Sequence, residues 1–403
     1  MTKKRFSIAL IFKNITGFAI IDFVSIIMPF LYLPFLVSSV GIETYGELAT
    51  LQAMMMLAGV LVRFGLNPYA ISLLKDDSVD EYSLLTIVVL IRIAVAISTT
   101  PMLIFADLYF DFGAFFIVSA FVYSLAEVTS PLWYCHARSR IAEFSAYLIF
   151  YRLVSTVLII VSIHFDIVLE TFLLCLAVPY LCANILAYRK FTKTMDRSRG
   201  PDLSETSIIF RNSILFGLSR FSSVGADKIP VLALSFSGNP AASGVYDLVF
   251  KIIGVLLMPV NIITQSILPV FYGKQLKIIT LLCLSMIIAY IPLYGLLNYL
   301  WPFIASVFSM PVNHSSAVFN VLFLVIFLNI VSHNVGYHLQ LAKGKKISYN
   351  LSVISSFLLI SVIALYFLSN TSLDAIGFAW LYNAFVFFTL LFRVLSLRTA
   401  LAT

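Results

Sequence analysis

Apolar runs of about 20 residues recur along nearly the whole of this chain, and that recurrence leaves few ways to fold. In hydrocarbon no water can satisfy a backbone N–H or C=O, so a crossing chain must be helical or close into a barrel. A membrane barrel alternates apolar and polar residues over about ten positions, and continuous apolar runs of twice that length exclude it. A soluble globule is excluded as well. Of the 403 residues 61% are hydrophobic and 11% charged, with a mean hydropathy of +1.01, whereas soluble chains are about half apolar and about a quarter charged.

Hydropathy and turn signals predict twelve helices, near 11–37, 45–69, 82–105, 112–134, 145–163, 168–187, 207–234, 243–270, 278–300, 316–340, 350–369 and 374–396. The expected fold is an all-α integral membrane protein with about 12 transmembrane helices. Loop charge tests the map. With the N-terminus in the cytoplasm, the outward gaps 38–44, 106–111, 164–167, 235–242, 301–315 and 370–373 hold no Lys or Arg. The inward gaps and termini hold 17, among them Lys3, Lys75, Arg138, Arg189, Lys274, Lys345 and Arg398. The positive-inside rule then places both termini in the cytoplasm. The opening "MTKKRFSIALIFKNITGF" reads as an uncleaved signal anchor, since its apolar run continues to about Val37 with no small-residue cleavage site. Cys135, Cys175, Cys182 and Cys283 show no metal spacing and read as free thiols.

The longest polar stretch, 188–206, is basic and reads as a solvated cytoplasmic linker rather than a nucleic-acid site. It divides the chain into a six-helix lobe at 1–187 and another at 207–403. An internal echo supports the division: "FKNITGFAIIDF" at 12–23 aligns with "FRNSILFGLSRF" at 210–221, and a slightly longer offset sets Tyr45 on Tyr246. Both lobes start from the cytoplasm, so they are parallel repeats about a pseudo-two-fold axis normal to the membrane.

Charges inside spans are the candidate functional residues, because each costs about 2.5–3.5 kcal/mol at the bilayer centre even on the lenient insertion scale. They are Asp22, Arg92, Glu127 and Arg152 in the first lobe, and Arg220, Asp227, Lys228, Asp247 and Lys251 in the second. Arg220 and Asp227, seven apart, share a helix face with Lys228 beside them; Asp247 and Lys251, four apart, share a face of the next helix. Lys228 and Lys251 each lie about 12 Å from the loop joining these helices and can meet at one level. Two readings stay open here: mutual salt bridges that set helix register, or a cationic site for an anionic ligand, for which an arginine fork suits phosphate oxygens. Asp22 is the alignment partner of Arg220. Between Ile278 and Phe392 no span interior carries a charge, so the last four helices read as scaffold. Arg63, near a helix end, reads as snorkelling. Pro29, Pro34, Pro230, Pro259 and Pro269 read as interruptions and bending points. His333 and His338, five apart, fall on different faces and do not suggest a metal pair. No nucleotide-binding GxxxxGK[ST] loop is present.

Three stretches carry a family resemblance. They are "PFLYLPFLVSSVGIETYGELATLQAMMML" at 29–57, "SPLWYCHARSRIAEFSAYLIFYRLVS" at 130–155 and "SGVYDLVFKIIGVLLMPVNIITQSILPVFYG" at 243–273. The sequence resembles the Wzx-type O-antigen and polysaccharide repeat-unit flippases of the multidrug/oligosaccharidyl-lipid/polysaccharide exporter superfamily. It departs from their pattern at Arg63, near Ser72, and at Cys135 and His136.

The resemblance implies an alternating-access transporter, not an enzyme, in a bacterial inner membrane. Its cargo is an undecaprenyl-diphosphate-linked oligosaccharide for lipopolysaccharide biosynthesis, and its partners include membrane lipids, the polysaccharide polymerase and the chain-length regulator. On this reading Arg220, Lys228, Lys251, Arg92 and Arg152 attract the diphosphate. Asp22, Glu127, Asp227 and Asp247 balance them, with one taking up a proton or Na⁺; no other cofactor is expected. A multidrug/cation antiporter of the same superfamily and a membrane glycosyltransferase or polymerase stay open as alternatives. A polyprenyl-linked precursor flippase of cell-wall synthesis would need two more spans than the chain holds.

Overall fold

A computed structural model describes the backbone of residues 8–75, 80–110, 113–193, 195, 203–271, 276–341, 344–370 and 373–398. Side chains of 8–22, 75, 109–110, 203–204, 265–271, 276–279, 370 and 398 fall outside that description. The side chain of Asp22, residues 1–7 of the N-terminal anchor and residues 194 and 196–202 of the linker therefore lie outside it.

Among the described residues the chain is helical throughout, with no strand. The elements are α1 (Ile8–Arg63), α2 (Leu66–Lys75), α3 (Glu81–Phe110), α4 (Ala114–Thr129), α5 (Leu132–Ala137), α6 (Ile141–His164) and α7 (Val168–Thr192). They continue with α8 (Leu203–Phe236), α9 (Pro240–Phe271), α10 (Leu276–Val307), α11 (Val312–Asn334), a π-helical turn (Val335–Gln340), α12 (Lys346–Asn370) and α13 (Ala375–Arg398). α1 is two helices meeting at Gly41, whose φ of 81° and ψ of 161° are open only to glycine. Counting its two arms separately, with α2, α5 and the π turn as continuations, gives twelve long helical segments.

Ten described stretches are long and apolar enough to cross a membrane. The first spans both arms of α1, and α8, which carries Arg211, Arg220, Asp227 and Lys228, is not among them. The protein is an all-α, multi-pass membrane protein. Its many exposed apolar side chains, such as Ile97, Phe105, Leu281, Phe303 and Val362, fit a surface solvated by lipid tails.

Two expectations change. The outward gaps at 38–44 and 301–315 shrink to the Gly41 kink and to residues 308–311, because helix continues through both ends. The prolines at 29, 34, 230, 259 and 269 end no helix. In a bundle, neighbouring helices and small local adjustments satisfy the carbonyl that a proline leaves without a donor. Breaks fall instead at Gly41, at Phe64–Gly65 and at Ser130–Pro131.

Packing divides the chain into two compact units: Met1–Tyr32 with Met54–Phe221, and Leu33–Ala53 with Ser222–Thr403. The expected lobes divide it by helix count, whereas these units divide it by contact, and their boundaries fall inside α1 and α8. In the first unit α7 packs on α4 and α6, and α2 on α5, over a core that includes Leu66, Ile87, Trp133, Phe144 and Phe191. In the second, α13 packs on α11 and α12, and α9 on α11. There Trp301 stacks on Phe319 at 4.2 Å and donates to the Ser315 hydroxyl at 3.1 Å.

Candidate functional site

Among the described residues, each unit buries a charged cluster. In the second unit it centres on Asp247, which is only 2% exposed. Asp247 and Lys251 stand one turn apart on α9, and the Lys251 ammonium reaches carboxylate Oδ2 at 2.5 Å. The hydroxyl of Tyr45, from the arm of α1 that belongs to this unit, donates to the same oxygen at 2.6 Å. Lys251 also donates to the Tyr45 hydroxyl at 2.8 Å, closing a three-membered ring of polar groups. Lys228 of α8 approaches the other oxygen, Oδ1, at 3.5 Å. Two lysines thus share one carboxylate.

Sequence spacing indicated that Lys228 and Lys251 could meet, and the structure brings both to Asp247. Backbone packing holds Tyr45 there: a Cβ on the adjacent Gly46 would lie 1.8 Å from the Pro240 carbonyl oxygen, so only glycine permits this approach. Asp227 takes a different partner, accepting a hydrogen bond from the Tyr382 hydroxyl of α13 at 2.9 Å. Phe250 packs edge-on to Tyr382 at 5.1 Å and stacks with Tyr246 at 6.0 Å.

In the first unit Glu127 of α4 is 1% exposed. It pairs with the Arg63 Nε at 3.2 Å and accepts from the Tyr180 hydroxyl at 3.3 Å. Arg63 was expected to snorkel. It turns inward, because Glu127 lies buried on the facing helix and offers the compensation that a water layer would otherwise supply. Around the pair stand Tyr123, Tyr151 and Tyr180, with ring centroids 5.5 and 5.0 Å apart. Arg152 lays its guanidinium over the Tyr151 ring at 4.9 Å, and its buried Nε has no hydrogen-bond partner.

Arg92 is also fully buried; its two terminal nitrogens are committed, while its Nε has no hydrogen-bond partner. One terminal nitrogen serves the carbonyls of Glu127 (2.9 Å), Val128 (3.3 Å) and Ser130 (2.9 Å), and the other serves Asn67 Oδ1 at 2.7 Å. These carbonyls lie at the end of α4, where Pro131 supplies no N–H and the Ser130 N–H reaches the Glu127 carbonyl only at 3.4 Å, so Arg92 caps the end of α4. Arg220, by contrast, is exposed.

Another buried cation lies one residue beyond the stretch read as scaffold. Arg393 of α13 is 4% exposed and donates to the Ser332 carbonyl at 2.6 Å and the Ser332 hydroxyl at 2.9 Å. Its guanidinium lies over the Tyr349 ring at 4.6 Å. Ser332 precedes the π turn, whose shifted register alters the helical bonding of nearby carbonyls. Arg393 lies near the end of α13, and neither its burial nor the π turn leaves a mark in hydropathy. Among the described residues no group of three His, Cys, Asp or Glu side chains could hold a metal ion.

Comparison with known proteins places these clusters in context. The model of a family described as polysaccharide biosynthesis protein matches residues 11–273. A search of curated proteins finds no sequence match. Among solved structures, an inward-facing multidrug resistance MATE family transporter of the MOP superfamily is similar, with a TM-score of 0.69, 13% identity and 93% of each chain covered. The MATE multidrug transporter DinF-BH gives a TM-score of 0.66 at 18% identity, over 99% of this chain and 97% of its own. A MOP superfamily transporter from Pyrococcus furiosus gives 0.62 at 14% identity, over 97% and 94%; its binding pocket is described as reversed in polarity, suggesting a different function.

Proposed function

This chain belongs to the polysaccharide biosynthesis protein family, a family of membrane transporters in the MOP superfamily, and on that premise we propose that it flips a lipid-linked oligosaccharide. The cargo is an undecaprenyl-diphosphate-linked repeat unit, carried by alternating access from the cytoplasmic to the periplasmic leaflet of a bacterial inner membrane. Such a protein serves O-antigen and lipopolysaccharide synthesis beside a polymerase and a chain-length regulator.

One observation carries the reading: two lysines, Lys228 and Lys251, converge on the single buried carboxylate of Asp247. Asp247 alone cannot neutralise both lysines, and with Asp227 beside Lys228 engaged by Tyr382 an incoming diphosphate offers them a further counter-ion. Buried charge of this kind is costly in a membrane and points to a transport path. Arg220 and Arg152 are the further cations proposed to meet the head group. Asp227, held by Tyr382, and Glu127, held by Arg63 and Tyr180, are the groups proposed to exchange a proton or Na⁺, with Asp22 as a further acid.

The test is complementation. A strain with a known O-antigen cluster but no flippase receives this gene, and surface polysaccharide and unflipped repeat units are assayed. Restoration by the wild type, with loss in Lys228→Gln/Lys251→Gln at equal membrane abundance, is the expected result. No restoration, with every pathway enzyme active, would sink the reading and leave drug or cation efflux, which the MATE-like fold favours, as the next assay.

A further inference from the structure

Arg393 of α13 is 4% exposed, yet among the described residues it takes part in no ion pair. One terminal nitrogen donates to the two oxygens of Ser332, and the buried Nε has no hydrogen-bond partner. The Ser332 oxygens and the Tyr349 ring beneath the guanidinium supply dipoles, not a counter-charge.

Composition explains the lack. Beyond Asp247 the chain holds one acidic residue, Asp374. It precedes α13 and stands nearly a whole helix from Arg393, about 28 Å by helical rise. The π turn beside Arg393 packs on α9, α11, α12 and α13. Of those four helices only α9 carries an acid, Asp247, and two lysines already share it. A charge out of water needs compensation, and no side chain of these helices is left to give it.

A second cation stands a turn further along α13. The Lys345 ammonium donates to the Ser396 carbonyl at 3.1 Å, and Ser396 follows Arg393 by about 4.5 Å of helix. Gln340 donates to the Ser396 hydroxyl at 2.7 Å, so the end of the π turn, the start of α12 and the end of α13 are tied together. Lys345 is partly exposed and Lys346 is exposed. His333, Tyr337 and Tyr349, in successive ring contact at 6.2 and 6.1 Å, are partly exposed as well. The guanidinium, 4.6 Å above the Tyr349 ring, lies directly behind them.

We infer that this end of the second unit binds the phosphate group of an anionic lipid, with Arg393 as the buried cation and Lys345 and Lys346 at the rim. Two observations favour a lipid over a soluble anion. Arg393 lies about 8 Å from the end of a membrane-crossing helix, the depth of a head group, where basic pockets between helices take anionic lipids. At the same level α12 begins with Ile347 and Leu351 exposed at 66% and 47%, an apolar surface for the tails. With the termini in the cytoplasm, as loop charge predicts, the lipid belongs to the cytoplasmic leaflet. The site shares no residue with the Asp247 cluster and does not depend on the cargo. A lipid that binds only the folded protein stabilises it, so the stability of the second unit rises with the anionic lipid around it.

The experiment uses purified full-length protein in micelles supplied with phosphatidylglycerol, phosphatidylcholine or inorganic phosphate, read by native mass spectrometry and thermal shift. The wild type is expected to retain phosphatidylglycerol, and Arg393→Gln to bind it about tenfold more weakly, equivalent to about 1.4 kcal/mol. Lys345→Gln is expected to weaken it about fivefold, the usual worth of one basic residue near a lipid surface. Lys193→Gln, which removes an exposed cation of the first unit, is expected to leave binding unchanged. Phosphatidylglycerol is expected to raise the wild-type melting temperature more than either other addition, and Arg393→Gln to abolish that rise. Equal binding by wild type and Arg393→Gln, or an equal loss in Lys193→Gln, would overturn the site. Equal protection by phosphatidylcholine or by inorganic phosphate would overturn the anionic lipid as its occupant. If Arg393→Gln fails to fold, Lys345→Gln decides alone, and unchanged binding there overturns the proposal.

Discussion

Tyr45 donates a 2.6 Å hydrogen bond to Asp247, 202 positions away, and so contacts the chain neighbour of Tyr246, its own counterpart in the internal alignment. The bond ties one arm of α1 to α9 through a group that also serves Lys251. It joins two distant sequence segments that both carry the family resemblance. Its energetic weight follows from its partner being charged and buried.

Tyr45→Phe removes that donor and keeps the ring. A hydrogen bond to a buried charge is worth about 1.5–3 kcal/mol, so the variant is expected to unfold at a lower temperature in detergent. A thermal-shift measurement on purified protein checks it, and an unchanged midpoint would refute a stabilising role.

The two lysines and Asp247 are expected to be strongly non-additive. Asp247→Asn alone leaves two buried cations uncompensated, at a cost of about 3–5 kcal/mol. Asp247→Asn combined with Lys251→Met is expected to cost less than the sum of the single changes. A double-mutant cycle in denaturant measures the coupling; strict additivity would show that the pair does not interact.

Arg63→Met is expected to be as harmful as the loss of a core side chain, because it strands Glu127 at 2% side-chain exposure. The cost is about 3–5 kcal/mol, and Arg63→Met with Glu127→Gln is expected to recover most of it. Equal stability of wild type and the single variant would mean that Arg63 snorkels after all.

Arg92→Lys is not conservative here. An ammonium cannot serve three carbonyls and Asn67 from one fork. The expected loss is about 2–3 kcal/mol, with protease cleavage appearing near the α4–α5 break. Limited proteolysis with mass spectrometry locates the site; wild-type resistance there would argue against a cap.

Gly336→Ala puts a methyl group 2.9 Å from the Arg393 guanidinium nitrogen and 2.8 Å from the Tyr349 ring. Overpacking of this kind costs about 1–3 kcal/mol. Trimming the neighbour in Gly336→Ala/Tyr349→Leu is expected to restore part of the lost melting temperature. No loss in the single variant would mean that the π turn gives way freely.

The sequence by itself determined that the chain is helical, crosses the membrane many times and carries charges inside its apolar stretches. Those conclusions need only the length of apolar runs, the backbone's demand for hydrogen bonds and the cost of a charge in hydrocarbon. It also determined that Asp247 and Lys251 share a helix face, since four residues make about one turn. Tertiary structure alone decided which charge meets which. Arg63 reaches Glu127, Arg92 caps α4 and Arg393 sits beside a π turn, and each pairing joins residues whose helices are set side by side by packing. Helical periodicity places a side chain on a face; it says nothing about which helix that face will meet.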